Sequence, residues 1–507
     1  MIDGSPNTAR QVVLLMTDTT RWDMLGCYRS HGIRTPFLDD LASDGLRFNR
    51  AYPSSPLCAP ARSTLFTGTW PHTNGVWTNG YALGLDSRTI GQRLQDRGLS
   101  TAYVGKWHLD GTDYFGSGRP APGWDPAYWY DGRNYLDDLS PIERRRSRDP
   151  GTNDDPGLTA EFTFAHRCSD RAIEFLARHG HNDFLLVVSY DEPHHPSISP
   201  RPYSTMYRDL EFTSGPDGPD GVGSKPELQA LWAEGHPIRD PQARQAYRTY
   251  LLGAQTFVDA EIGRVLEAVD KFAPDAMVLY TSDHGDALQS HRLWAKGPAI
   301  YDEIARVPLI VRWPGRIPAG SVDEHPISHI DIAPTLLDVF GLDTPPFLPG
   351  ASLIPVLTGT GRPASEYVFV EFGRYDMDPD GFGGLQLMRA VFDGRHKLSV
   401  NLLDTDELYD LEADPHEMVN LIDSPAHTDA RNRLHDRLLT WMHDTRDPFR
   451  GYQWEGREWR NDARSASWSG WGLIRPRPDD GYAKRVIDYF TGQEMSETSR
   501  GPWRGGK

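Results

Sequence analysis

Cysteine is scarce in this chain: three in 507 residues, Cys27, Cys58 and Cys168, odd in number and far apart. That usage speaks against a disulfide framework and fits a reducing, cytoplasmic setting. Long apolar runs are missing too. None approaches the roughly 20 residues that span a membrane, and the start, "MIDGSPNTARQVVLLM", lacks the charged, apolar and small-residue succession of a secretion signal. Basic charge is in deficit, since 53 Lys+Arg against 71 Asp+Glu give a formal net charge of -18. Such a balance repels phosphate backbones. The exception, "ERRRSR" at 143–148, reads as a solvated segment, so neither nucleic acid nor a membrane is expected as a partner.

What is present describes a soluble globular protein: 38% hydrophobic and 24% charged residues of mixed sign, with 15 Trp spread through the chain. The length suggests two or three domains. Three apolar runs of strand length end abruptly in polar residues: "QVVLLMT" from 11, "DFLLVVSY" from 183 and "AMVLYTS" from 276. Continuous Val/Leu runs suit strands covered on both faces. Helical patterns lie between them, starting near 87, 168 and 246. The alternation predicts an α/β fold with a doubly wound, mostly parallel sheet over residues 1–350. After 350, short alternating strands followed by a turn and helix predict a smaller α+β domain with an antiparallel sheet at 351–450. Residues 451–507, with Trp454, Trp459, Trp468 and Trp471, read as an extended tail laid over a surface.

In such sheets ligands bind beyond the carboxyl ends of the strands. There the three runs deliver "DTTR" (Asp18 to Arg21), "DEPHHP" (Asp191 to Pro196) and "DHGD" (Asp283 to Asp286) to one edge. Hard divalent cations prefer oxygen ligands, with imidazole acceptable to softer metals, so Asp18, Asp283 and His284 are candidate metal ligands. Cys58, in "SPLCAPARSTLFTG", stands where a loop turns into a helix. It is either a small buried residue or a nucleophile whose helix N-terminus favours anions. "GKWHL" supplies Lys106 and His108, and "HRLWAKG" supplies His291 and Lys296. Each alone suits a surface lysine or a satisfied histidine. Together they place positive charge where an anionic substrate needs it.

"CAPARSTLFTG" resembles the type I sulfatase signature, in which a cysteine followed by x-Pro-x-Arg is oxidised to formylglycine. "GKWHL" resembles the family's second signature. "YTSDHGD", "LWAKGPAIYDEIARVPLIVRWPG", "HIDIAPTLLDVFGL" and "ELYDLEADPHEMVNLI" resemble further segments in the same order, so the likeness spans residues 11 to 422. It implies the alkaline phosphatase superfamily and hydrolysis of aryl or carbohydrate sulfate esters by a formylglycine diol at position 58. Arg62, Lys106 and His108 would hold and polarise the diol, while His194 and Lys296 would face the leaving oxygen, one of them as general acid. The resemblance also implies one divalent metal, Ca2+ by family habit, on Asp18, residue 58, Asp283 and His284. Thr19 stands where a carboxylate or amide ligand is often found, and His284 in place of Asn leaves room for Mn2+, Mg2+ or Zn2+. A formylglycine-generating enzyme is the implied maturation partner. Ala61, where many sulfatases have serine, also occurs in phosphonate monoester hydrolases, so phosphonate monoester or phosphodiester hydrolysis is the alternative. A non-catalytic binding protein on the same fold is a third reading, and the tail could clasp a second subunit in a homo-oligomer.

Overall fold

The computed structural model describes residues 10–29, 31–210, 225–235, 240–376, 385–460, 487–488 and 491–494. The three apolar runs become β1 (Gln11–Asp18), β4 (Phe184–Pro193) and β5 (Met277–Ser282), joined by β2 (Leu46–Tyr52), β3 (Ser100–Gly105), β6 (Val307–Arg312) and β7 (Ser321–Ser328). They form one seven-stranded sheet in the order β3-β4-β1-β5-β6-β2-β7. Every neighbouring pair is parallel except the two made by β6, which runs antiparallel to both β5 and β2. The sheet is therefore mostly parallel, as expected.

All eight residues of β1 are buried because both faces are covered. Val12, Leu14 and Met16 pack on one face with Leu65, Phe66 and Leu336. Val13 and Leu15 pack on the other with Phe175, Leu176, Phe257 and Ile262. Each such side chain taken from water contributes about 1.5–3 kcal/mol. The helices over positions 168 and 246 start earlier than their apolar patterns suggest, at Phe164 and Pro241. The reason is capping: Thr163 accepts from the His166 N–H and Asp240 from the Ala243 N–H, satisfying otherwise orphaned donors.

The second sheet is antiparallel, β8 (Val368–Phe372), β9 (Met388–Phe392), β10 (His396–Asn401) and β11 (Glu407–Asp410), in the order β11-β10-β9-β8. One face carries the Thr428–Asp444 helix, with Val391, Leu398 and Leu408 against Leu434, Leu438 and Trp441. The other buries Val370, Phe372, Ala390 and Phe392 against Tyr52 and Leu57 of the larger unit. A buried charge network spans this contact: Glu371 accepts from the His72 backbone N–H at 2.8 Å, and Arg389 donates to Asp447 at 2.6 Å. Beyond it, Tyr452–Glu455 forms a helical turn rather than extended chain, and the Trp454 indole is buried, donating to the Phe449 carbonyl. Trp468 and Trp471 lie outside the described residues. The "ERRRSR" segment forms the end of a short surface helix, Pro141–Arg146, with Arg144 paired to Asp137 and Arg146 to Asp155. Among the described residues, no helix is long and apolar enough to cross a membrane.

Candidate functional site

Cys58 is the first residue of a helix running to Thr67, all ten of whose residues are buried. Leu57, the residue before it, offers no side-chain cap, and Pro60 in the first turn has no N–H to leave unsatisfied. Gly68 ends the helix at φ 71, a left-handed conformation that glycine tolerates. The helix therefore points its N-terminus at the carboxyl edge of the sheet, where β1, β3, β4 and β5 stop.

Four donor groups meet there. One ligand atom from each of Asp18, Cys58, Asp283 and His284 lies within 4.8 Å of the others, and all four residues are buried. His284 Nδ1 is 2.7 Å from the Gly285 carbonyl, which can only accept, so Nδ1 carries the proton and Nε2 is bare. The Cys58 thiol donates to that Nε2 at 3.1 Å. Thr19, at φ 73, turns its hydroxyl onto Asp18 Oδ1 at 2.7 Å and its N–H onto Asp283 Oδ1 at 3.3 Å. It thus braces the two carboxylates from their own loop.

Arg62, one turn beyond Cys58 and wholly buried, donates to Asp283 (2.8 Å), Asp18 (3.3 Å), the Lys106 carbonyl (2.7 Å) and Ser189 Oγ (2.8 Å). Lys106 follows β3 and places Nζ 2.7 Å from Asp18 and 3.0 Å from Asp191. The Tyr114 hydroxyl accepts from Lys106 Nζ at 2.6 Å, donates to Asp191, and lies 3.0 Å from His194 Nδ1. His108, at φ 54, is buried, and its Nδ1 has no hydrogen-bond partner among the described residues.

The electrostatics are those of a site made for a cation and an anion together. Burial works against the charge on Asp18, but Lys106 and its other cationic neighbours hold its carboxyl well below the usual range. Asp283 is pushed up to about 7 by burial and then by the charge of Asp18, despite Arg62. Two carboxylates and a neutral imidazole facing one point are in conflict with each other, and a divalent cation relieves that conflict. The donor set fits such an ion. Burial and Asp18 push the Cys58 thiol up to about 12, the opposite of what a thiolate nucleophile needs. Burial, Lys106 and Arg62 hold His108 well below its ordinary value, so it is a neutral base. For Lys296 burial disfavours the charge, yet Cys58, Tyr375 and Asp18 outweigh it and raise the pKa.

A cleft of about 570 Å³ opens beside this centre, and Thr19, His194 and Lys296 are among the residues that line it. Its walls include Tyr247, Tyr250, Tyr375, His195 and the small residues Ala243, Ala246 and Gly151. The Tyr247 hydroxyl is turned onto Asp286 at 2.8 Å, and its ring stacks on His195.

All the candidate ligands and catalytic residues, Asp18, Thr19, Cys58, Arg62, Lys106, His108, His194, Asp283, His284 and Lys296, are thus gathered at one sheet edge. His291 is not. Its Nδ1 is 2.8 Å from Lys225 Nζ and its ring stacks on Tyr301 at 3.8 Å. Leu288, Gln289, His291, Arg292 and Ala295 all have positive φ, so the segment doubles back and parts His291 from Lys296. Tyr114, Ser189 and Tyr375 were not singled out from the sequence. They sit in loops or inside an apolar strand, and no spacing marks them.

Comparison with known proteins adds the following. The sulfatase family profile matches residues 10–342, and a profile for the C-terminal part of N-sulphoglucosamine sulphohydrolase matches residues 290–444. The uncharacterized sulfatase YidJ of Escherichia coli (strain K12) is 43% identical over 488 residues, covering 95% of this chain and 96% of its own. The N-acetylglucosamine-6-O-sulfatase of Bacteroides thetaiotaomicron is 26% identical, covering 81% and 82%. A solved phosphonate monoester hydrolase of Agrobacterium radiobacter superposes with a TM-score of 0.71 over 86% of this chain and 96% of its own. At 23% identity that likeness speaks to the fold alone.

Proposed function

This chain belongs to the sulfatase family of the alkaline phosphatase superfamily and is a sulfuric ester hydrolase; from that premise we propose that it works through a formylglycine made from Cys58, with one divalent metal ion. The observation that carries the proposal is the meeting of Cys58 with two carboxylates and a bare imidazole nitrogen within 4.8 Å at a helix N-terminus. A thiol raised to about 12 is poorly suited to attack sulfur by itself.

Oxidised to formylglycine and hydrated, residue 58 would carry a geminal diol, one hydroxyl attacking sulfur and the other providing the exit by which the sulfated adduct collapses to aldehyde and free sulfate. Asp18, Asp283 and His284, with residue 58, would hold the ion. Oxygen donors favour Ca2+, while the imidazole also suits Mn2+, Mg2+ or Zn2+. When bound, the ion supplies positive charge against which the sulfate oxygens are held.

The chain's own residues do the rest. Arg62, locked by its four partners, fixes the two carboxylates and the backbone of Lys106. Lys106, anchored between Asp18 and Asp191, presents its ammonium beside residue 58. His108, neutral and with Nδ1 unpaired among the described residues, is the base for the second hydroxyl proton. His194 and Lys296 border the cleft and would face the leaving oxygen. The aromatic walls of that cleft suit a sugar or aryl ring, so the proposed substrate is a saccharide or small-molecule sulfate ester.

The test is to coexpress the chain with a formylglycine-generating enzyme and measure intact mass and product together. The matured protein should be about 18 Da lighter and should release sulfate from a panel of aryl and carbohydrate sulfates. Faster release of phosphonate or phosphate products across a matched panel would favour phosphonate monoester or phosphodiester hydrolysis instead.

A further inference from the structure

The two lysines of the proposed centre are held in different ways. Lys106 Nζ is fixed by Asp18, Asp191 and Tyr114. Lys296 is 5% exposed, and its ammonium has no hydrogen-bond or ion-pair partner among the described residues. With no polar partner to aim it, the ammonium stands where its backbone puts it. That backbone is unusual. Leu288, Gln289, His291, Arg292 and Ala295 sit at positive φ, between 44 and 75, and none is glycine. Residues with a Cβ disfavour that region, so such a run persists only where its surroundings over-determine it.

Asp286, itself fully buried, is what closes the run. Its Oδ1 accepts the Leu288 N–H at 2.8 Å, where the run begins, and the Ala295 N–H at 3.1 Å, where it ends. Within that neck the Ala287 N–H donates to the Ala295 carbonyl at 2.8 Å and the Gln289 N–H to the Leu293 carbonyl at 2.9 Å. Its Oδ2 accepts the Tyr247 hydroxyl at 2.8 Å, from the Pro241–Phe272 helix, and Tyr247, Asp286, Ala295 and Lys296 all line the cleft. We propose that Asp286 is a positioning residue for Lys296. By drawing residues 288 and 295 onto one oxygen it sets where the ammonium stands, and through Tyr247 it keeps that ammonium in register with the cleft wall. What Lys296 then does rests on the sulfatase reading; that Asp286 holds the segment does not.

Asp286→Ala opens the neck. Asp286→Asn keeps a carbonyl oxygen for both N–H groups and an amide that meets the Tyr247 hydroxyl. Both are compared, in matured, metal-loaded full-length protein, on a series of aryl and alkyl sulfates. Asp286→Ala should lose about 10–100-fold in kcat, the scale for displacing a reacting group by roughly an ångström. Its losses should follow the leaving-group trend of Lys296→Ala, and the double variant should stay within about threefold of Lys296→Ala alone, because no ammonium is left to position. Asp286→Asn should recover to within about fivefold of wild type. A merely structural role would lower the wild-type and Lys296→Ala backgrounds alike. Losses that add to those of Lys296→Ala, that ignore its leaving-group trend, or that Asp286→Asn shares in full therefore overturn the proposal.

The second measurement is amide hydrogen exchange of the wild-type protein, resolved to Leu288 and Ala295, which needs neither activity nor a folded alanine variant. Both amides should exchange at least about 100-fold more slowly than unprotected ones. Exchange of either at the unprotected rate overturns the proposal. If the matured protein releases sulfate from no ester, the sulfatase reading falls, and the exchange result alone decides whether Asp286 holds the segment.

Discussion

Arg62 Nε lies 2.8 Å from Asp283 Oδ2, a fully buried pair that joins the helix starting at Cys58 to the loop after β5. The guanidinium also serves Asp18, the Lys106 carbonyl and Ser189, so its planar fork is used on every edge. Lysine carries the same charge but cannot span four partners. Arg62→Lys should cost on the order of 3–5 kcal/mol, the range for breaking a buried ionic network. Urea unfolding of the two proteins checks this, and a loss under about 1 kcal/mol would show that the network repacks.

Cys58→Ala should abolish sulfate release and leave the fold in place. Alanine is a good helix former, and removing one sulfur from a packed site costs about 1 kcal/mol. Circular dichroism and a melting curve report the fold, while sulfate release from an activated aryl sulfate reports the chemistry. Turnover within tenfold of wild type would remove residue 58 from the mechanism.

Lys296→Ala should be more damaging for poor leaving groups than for good ones. A positioned proton donor contributes about 10²–10⁴-fold when the departing oxygen is basic, and little when it is already a stable phenolate. Measuring kcat/KM along a series of aryl and alkyl sulfates gives the slope directly. Parallel lines for wild type and variant would mean that Lys296 binds the sulfate and donates no proton.

Glu192, at the end of β4, carries a stability cost that should be visible in pH dependence. Its Oε1 accepts the Ala165 N–H at 3.1 Å, and its Oε2 has no hydrogen-bond partner among the described residues. Burial, then the charge of Asp191, raises its pKa to about 8. Between its unfolded value near 4.5 and about 8 the native state holds the proton that the unfolded state has lost, so stability falls as pH rises through that window. Glu192→Gln should remove that slope and add roughly 2–3 kcal/mol at pH 7. Melting temperatures at pH 5 and pH 8 should converge at pH 5 and separate at pH 8. Equal shifts at both would place the effect in packing.

Much of this site was legible because its residues follow strands that announce themselves. Asp18, Asp283 and His284 come straight after runs whose Val and Leu content fits only a covered sheet, and Cys58 precedes a proline placed for a helix start. The reversed direction of β6 was not legible, since a buried antiparallel strand carries the same apolar run as a parallel one. Nor was Tyr114, which reaches Lys106, Asp191 and His194 through a loop fold that no local pattern encodes. The separation of His291 from Lys296 depends on several left-handed residues, none of them glycine. Spacing along the chain is silent on such a reversal.

Cys58 retains 1% of its surface in the folded protein, as the first residue of a helix whose every residue is buried. On the proposal that Cys58 becomes formylglycine, an oxidising enzyme would have to reach the thiol before this burial, so conversion and folding would compete for the same stretch of time. The residues that close over it include Lys296 and Asp283, which leave the ribosome more than two hundred positions later. Synthesis itself therefore opens an interval in which "CAPARS" is out and its covering residues do not yet exist. A chain that folds before that interval is used would be locked as the inert thiol.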